Sequence, residues 1–236
     1  MKELLAEIKS VGYWHVVIRP DSFIPNRINS FSNAEEIVRS STVRFRGWPY
    51  PYFPENGEQV NRHEDSIQGH SDFARYLELW WLYLSGQFVH YFSMREDRIE
   101  RGELVKMGRG VPSDPDVPVL SIESTLFSIT EIYEFGARLA ERGVLGELVH
   151  VEVSLHRTSG RALVVTDTRR VGLFHPRAAD ADEVRRTRLV PRAELLARPD
   201  ELALEETVKC FEHFHWDDPP LGVLRKDQEN FRARRY

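Results

Sequence analysis

The apolar positions of this chain fall into runs with helical spacing and runs with strand alternation. At the start, MKELLAEIKS sets Leu4, Leu5 and Ile8 on one side of a short amphipathic helix. YWHVVIRP then alternates, with Tyr13, His15, Val17 and Arg19 opposed to Trp14, Val16 and Ile18, and Pro20 ends the strand. Asn33 is placed to cap a helix through AEEIVRS, whose Glu35 and Glu36 sit in the first turn, where the helix dipole favours acids. TVRFR reads as a further strand, with Val43 and Phe45 facing one way and Thr42, Arg44 and Arg46 the other. In GWPYPYFPENG three prolines within seven residues forbid regular structure and favour an extended course. The polar stretch GEQVNRHEDSIQGHSD, residues 57–72, reads as a loop.

The densest aromatic stretch is ELWWLYLSGQFVHYF, residues 78–92. A two-residue turn at Ser85-Gly86 pairs Leu84 with Gln87, Tyr83 with Phe88, Trp81 with His90 and Leu79 with Phe92. One face then carries Leu77, Leu79, Trp81, Tyr83, Phe88, His90, Phe92 and Met94, and belongs to the core. The other carries Glu78, Trp80, Leu82, Leu84, Gln87, Val89, Tyr91 and Ser93, too apolar for an ordinary solvated face. The C-terminal helices or a partner are expected to cover it.

Residues 95–118 form a charged connection with a short strand expected at ELVKMG. SIESTLFSITEIYEFGARLAERG is the strongest helix, with Ser121 as cap and Gly143 as terminator. ELVHVEVSLHR and RALVVTD read as a second hairpin across Thr158-Ser159-Gly160, its inner face made by Val149, Val151, Val153 and Leu155. Beyond Pro176 the pattern turns helical. Leu204, Val208 and Phe211 form one stripe, and Leu221, Leu224 and Phe231 another. The predicted fold is α+β: a mainly antiparallel sheet crossed by one long helix, with a helical C-terminal segment docked on it. Residues 1–178 form the core domain and 179–236 the helical segment, together one compact unit.

Composition fits an ordinary globular chain, with 236 residues, 41% hydrophobic and 29% charged. A net charge of −5 makes no global demand for nucleic acid or an anionic membrane. Cys210 is the single cysteine, which excludes an internal disulfide and suits a reducing compartment. Without a signal-peptide pattern or a long apolar run, a cytoplasmic location is expected.

Four stretches, GYWHVVIRP, VRFRGWPYPYF, ELWWLYLSGQFVHYF and ALEETVKCFEHFHWDD, resemble in kind and order a family of uncharacterised bacterial proteins. Some relatives carry the module beside a Schlafen-like AlbA-type domain, a class linked to nucleic acid and bacterial defence. The resemblance implies an accessory or recognition role and no particular activity.

Three groups of residues carry candidate chemistry. Arg44 and Arg46, followed by Trp48, Tyr50, Tyr52 and Phe53, combine phosphate-binding and base-stacking groups of the kind single-strand binders use. Residues 157–192 add nine Arg against four acids, a local charge of +5. The packing alternative is that these arginines pair with acids and the aromatic loop plugs the fold. His63, Glu64, Asp65, His70 and Asp72 are ligand types for zinc, manganese or iron, yet their spacing matches no established metal motif and also suits a solvated loop. CFEHFHWDDPP offers Cys210, Glu212, His213, His215, Asp217 and Asp218, a group that histidines at a helix end and Asp218 as the next helix cap explain equally. Glu78, beside Trp80, is either a buried acid-base group or an acid neutralised by Arg44 or Arg95. His90, opposite Trp81, reads as a hydrogen-bonded core histidine.

Phosphate-binding Gly-Lys-Ser/Thr loops, strand-linked Gly-x-Gly-x-x-Gly and Gly-x-Ser-x-Gly elbows are all missing, and no cofactor is expected. The expected function is a non-catalytic binding or accessory module for a partner protein or nucleic acid, in a bacterial defence setting. Arg44, Arg46, Trp48, Tyr50 and Tyr52 are its candidate surface. A metal-dependent hydrolase or nuclease using the 63–72 stretch is the alternative. A small-molecule pocket against the aromatic hairpin, and homodimerisation through an apolar sheet face, stay open.

Overall fold

The computed structural model describes residues 1–53, 60–73, 75–107, 110–167 and 169–235. Residues 54–59, which include parts of the proline-rich and polar stretches, lie outside them. Helix α1 (Lys2–Lys9) leads into strand β1 (Tyr13–Pro20) and helix α2 (Phe31–Ser41). Strands β2 (Asn61–Arg62), β3 (Ser66–Phe73), β4 (Tyr76–Tyr83) and β5 (Phe88–Ser93) follow. Next come α3 (Arg101–Met107), β6 (Val119–Ser121), the long α4 (Ile122–Glu141), β7 (Leu148–His156) and β8 (Ala162–Val164). The chain closes with β9 (Glu183–Pro191), α5 (Arg192–Ala197), α6 (Pro199–Glu212) and α7 (Leu221–Arg232).

Seven strands form one antiparallel sheet in the order β2-β3-β4-β5-β1-β7-β9, and β6 and β8 pair in parallel beside it. The α+β class with a long helix across an antiparallel sheet is the one the periodicities predict. Cross-strand rows explain the main core. Gly69, Trp80, His90, Val16 and Val153 are successive neighbours across the sheet, and Ile67, Leu82, Phe88, Ile18 and Val151 form the next row. Both rows face α4, whose Ile129, Ile132 and Phe135 are fully buried against them. On the other face, Leu4 and Ile8 of α1 close over Leu77 and Leu79, with Trp81 and Tyr91 at the margin. The hairpin face that carries Leu77, Leu79, Trp81 and Tyr91 is therefore covered in part by α1, whereas α5, α6 and α7, expected to cover a hairpin face, pack against α4 on the opposite side.

Several local expectations are corrected. The hairpin register is one residue off: Trp80, not Trp81, faces His90, and Leu79 faces Tyr91. The cause is a three-residue loop, Leu84-Ser85-Gly86, closed by Tyr83 N–H to Gln87 O at 2.8 Å and Gly86 N–H to Tyr83 O at 2.9 Å. Gly86 has φ +88°, the left-handed conformation such loops require, and a Cβ there would meet Val144 O at 2.5 Å. That slip exchanges strand faces, so Trp80 and Leu82 join Phe88 and His90 in the core.

Ser30, not Asn33, caps α2, its side chain accepting from Asn33 N–H at 3.2 Å. TVRFR is no strand: Val43 makes a single bridge to Tyr50, and the chain turns between them with Gly47 at φ +91°. The 57–72 loop is overturned from residue 61 on, since β2 and most of β3 lie within it. ELVKMG lies largely in helix α3. β8 pairs with β6, not with β7, so the second hairpin is absent. The span from 179 is not wholly helical, because β9 pairs along the whole of β7. α7 starts at Leu221 with no side-chain cap, so Asp218 does not cap it.

Candidate functional site

Three arginine-aromatic loop residues meet the sheet beside the N-terminal half of α4. Val43 and Tyr50 bridge through two backbone hydrogen bonds of 2.8 and 2.7 Å, folding 44–49 back over the end of β4 and β5. The result is a cavity of about 80 Å³ walled by Arg46, Trp48 and Tyr50 from the loop. Glu78, His90 and Phe92 of the sheet, Ser124, Ser128 and Glu131 of α4, and Tyr76, Arg95 and Glu96 contribute to its polar and aromatic lining. The volume exceeds the ~10–15 Å³ one water needs. Arg44 and Tyr52 do not line it. Arg44 is exposed, and Tyr52 contributes backbone, its N–H reaching Glu78 Oε2 at 3.3 Å and its carbonyl accepting Trp80 Nε1–H at 2.7 Å.

Arg46 turns inward. Its Nε donates to Glu131 Oε2 at 2.8 Å and its Nη2 to Ser128 Oγ at 2.8 Å. Glu131 is 2% exposed, and burial, opposed by Arg46 and reinforced by Glu78, raises its pKa above the usual carboxylate range. Glu131 Oε1 has no hydrogen-bond partner. Seven buried side-chain polar atoms among the described residues are in that condition, and Glu131 Oε1, Ser93 Oγ and Arg95 Nε all belong to residues lining this one cavity. Unsatisfied buried polar atoms are rare because each costs about 1–3 kcal/mol, so three in residues around one space single it out as the candidate site.

His90 connects the two sides. Its Nε2 lies 2.8 Å from Glu78 Oε2 and its Nδ1 3.3 Å from the Tyr50 hydroxyl. Both ring nitrogens are thereby occupied, which holds the imidazole as a fixed wall. The partners of Glu78 are His90 and the Tyr52 N–H, not the arginines expected from sequence. Burial, with Glu131 and Glu78 nearby, pushes the Tyr50 phenol well above its ordinary pKa, so it stays a neutral hydroxyl. Trp48, 40% exposed, packs on Tyr76 at 5.0 Å between ring centroids and forms the rim.

The other candidates disperse. His63 bonds Gln68, while Glu64 and Asp65 sit in the exposed turn before β3. His70 and Asp72 are exposed on the α1 side of β3, opposite Leu79 and Leu77. Among the described residues no three His, Cys, Asp or Glu side chains stand together as a metal-holding group. Cys210 is buried and its thiol is pushed up to about 12 by burial, which makes it inert. His215 pairs with Asp180 at 2.8 Å instead of joining a ligand set. Each of the nine arginines in 157–192 has a partner. Arg161, Arg169, Arg170, Arg185, Arg186 and Arg188 pair with acids. Arg157, Arg177 and Arg192 donate to backbone carbonyls.

Sequence reasoning did not select Glu131 or Ser128. Their signal was present: Ser124, Ser128 and Glu131 recur at i, i+4 and i+7, one polar seam along the long helix. No helix among the described residues is long and apolar enough to cross a membrane. Comparisons with protein-family models, curated proteins and solved structures each give no match to this chain.

Proposed function

We propose that this protein is a non-catalytic binding module whose ligand seat is the cavity between the 44–50 loop, the β4–β5 hairpin and α4. The observation that carries this reading is the clustering of Glu131 Oε1, Ser93 Oγ and Arg95 Nε, buried and unpartnered, in residues around one aromatic-rimmed space. A binding role is favoured over catalysis because His90, the natural proton carrier, has both nitrogens committed to Glu78 and Tyr50. The aromatic-basic loop supports a nucleic-acid surface less well, since Arg46 is engaged by Glu131 and Ser128 and Tyr50 is buried. The resemblance to bacterial proteins with Schlafen-like neighbours supplies the setting in this proposal, an accessory role in defence.

The test is a fragment screen followed through the Trp48 indole resonance in 15N-labelled protein. Saturable shifts of that resonance, absent from a Trp48→Phe variant, are expected. A diverse library that leaves Trp48 unmoved at millimolar concentration overturns the reading.

A further inference from the structure

We infer that the ligand of this cavity presents an organic cationic head with N–H donors, a primary ammonium or a guanidinium, to Glu131 Oε1. The inference rests on the cavity being a ligand seat, as proposed above, and adds the chemical class.

Three observations converge on a cation. First, the unfilled group at the α4 wall is an acceptor. Glu131 uses Oε2 for Arg46 and leaves Oε1 unpartnered in a residue 2% exposed. A donor satisfies it, and a charged donor does so most strongly. Second, carboxyl groups outnumber guanidiniums in the lining: Glu78, Glu96 and Glu131 stand against Arg46 and Arg95, with His90 bonded to Glu78. Arg46 is already bound to Glu131, and the Arg95 guanidinium lies 5.9 Å from the Tyr76 ring centroid. Third, the walls are ring-rich: Trp48, Tyr50, Tyr76 and Phe92 supply aromatic surfaces of the kind that attract a desolvated cation. The orphan acceptor orients the head, and the rings hold its alkyl stem.

The head could come from a free amine or from a basic side chain of a partner protein, and the two sources share this chemistry. Calorimetric titration at pH 7.5 with butylamine and methylguanidine tests it, with tetramethylammonium as a cation lacking N–H and propionamide as a neutral donor. At least one of the first two is expected to bind one-to-one and roughly tenfold or more tighter than either control, the margin a charged hydrogen bond provides. Glu131→Gln, with a circular dichroism spectrum like the parent's, is expected to abolish that margin. Glu78→Gln serves as the second variant, weakening the cation without removing the orphan acceptor. N-acetyl-lysine methylamide or its arginine counterpart binding tighter than the bare heads assigns the source to a partner's side chain. Weaker binding assigns it to a free amine.

Equal affinity for propionamide or tetramethylammonium, or an undiminished margin in a folded Glu131→Gln variant, overturns the inference. If neutral fragments move the Trp48 resonance and none of the cations does, the ligand seat stands and the cationic class falls. If nothing moves it, both fall.

Discussion

His90 Nε2 stands 2.8 Å from Glu78 Oε2, in a side chain 1% exposed to solvent, and the Tyr50 hydroxyl closes the other side of the ring at 3.3 Å. Neighbouring strands bring the pair together, because Trp80 lies opposite His90 and Glu78 opposite Phe92. Tyr50→Phe removes the Nδ1 partner while keeping the ring that packs on Phe135 and Phe92. A loss of about 1 kcal/mol is expected in urea unfolding, with the fold retained. His90→Ala, which opens a cavity and strips Glu78 of a partner, is expected to cost about 2–4 kcal/mol. A neutral result for His90→Ala sinks the view of this imidazole as a fixed wall.

The Arg46–Glu131 pair makes a double-mutant cycle informative. Arg46→Ala leaves a carboxylate buried without its counter-charge, a change expected to cost about 3–5 kcal/mol. Adding Glu131→Gln removes the stranded charge, so the double variant is expected to be more stable than Arg46→Ala alone. Additive losses in denaturant titrations would show that the two side chains do not interact.

Glu131 also imposes a pH dependence of known sign. Burial lifts its folded pKa, with Glu78 of β4 adding to the rise and Arg46 of the loop opposing it. Tyr50, another titratable group of the lining, stays neutral throughout. Above the unfolded glutamate value the folded state holds more protons than the unfolded one, so this group's contribution to stability falls as pH rises through the folded pKa. Glu96, buried and raised chiefly by desolvation, acts in the same direction. The melting temperature of Glu131→Gln relative to the parent is therefore expected to climb from pH 4 to pH 7, and a flat or opposite trend contradicts the assignment.

Gly69 is a packing requirement. A Cβ there would lie 2.2 Å from Cζ2 and 2.4 Å from Cε2 of Trp80, whose indole is buried and tied to the Tyr52 carbonyl. Gly69→Ala has to displace that ring, at a cost of roughly 1–3 kcal/mol or more. Thermal melts and a red shift in tryptophan emission would report the displacement; parent-like values for both would refute it.

Outside the candidate site, Arg161 is 2% exposed and grips Asp97 through two hydrogen bonds of 2.8 and 2.7 Å, with Val119 O at 2.7 Å. The Gly12 N–H shares the same carboxylate at 2.7 Å. Asp97→Asn is expected to destabilise by about 3–5 kcal/mol by stranding the buried guanidinium. Gly12→Ala, whose Cβ would sit 2.3 Å from Arg161 Nη2, is expected to be similarly disruptive. Equilibrium unfolding of both variants checks this, and a loss below about 1 kcal/mol in each argues against the pair as a structural anchor.

What the sequence made legible follows from how strongly each segment is patterned. α1, β1 and α4 were readable because their buried sets, Leu4 and Ile8, Trp14, Val16 and Ile18, and Leu126, Ile129 and Ile132, keep a clean period. The hairpin was readable as an object but not in register, since a single left-handed glycine decides between a two- and a three-residue loop. β3 and β9 were hidden by chemistry suited to their place near the sheet margins. β3 buries Ser66, Gln68 and Ser71, and β9 carries Arg185, Arg186 and Arg188 on a sheet edge, where charge discourages strand addition. At the site, Arg46, Trp48 and Tyr50 were chosen for an exposed surface, but the fold turns Arg46 and Tyr50 inward and leaves Trp48 at the rim. Glu78 and His90 were each singled out, but only the correct register makes them neighbours. Glu131 needed the tertiary position of its polar seam.

β1, the first strand of the chain, occupies the middle of the sheet, with β5 and β7 as its antiparallel neighbours. On a ribosome it emerges long before either flank exists, and its apolar face waits for partners about 80 and 140 residues downstream, as the pairings of Trp14 with Phe92 and Leu155 imply. Loop closures of that length slow assembly and lengthen the exposure of sticky intermediates. A chain truncated before β7 would keep β1 as an open edge, so soluble expression should depend on synthesis proceeding through residue 156.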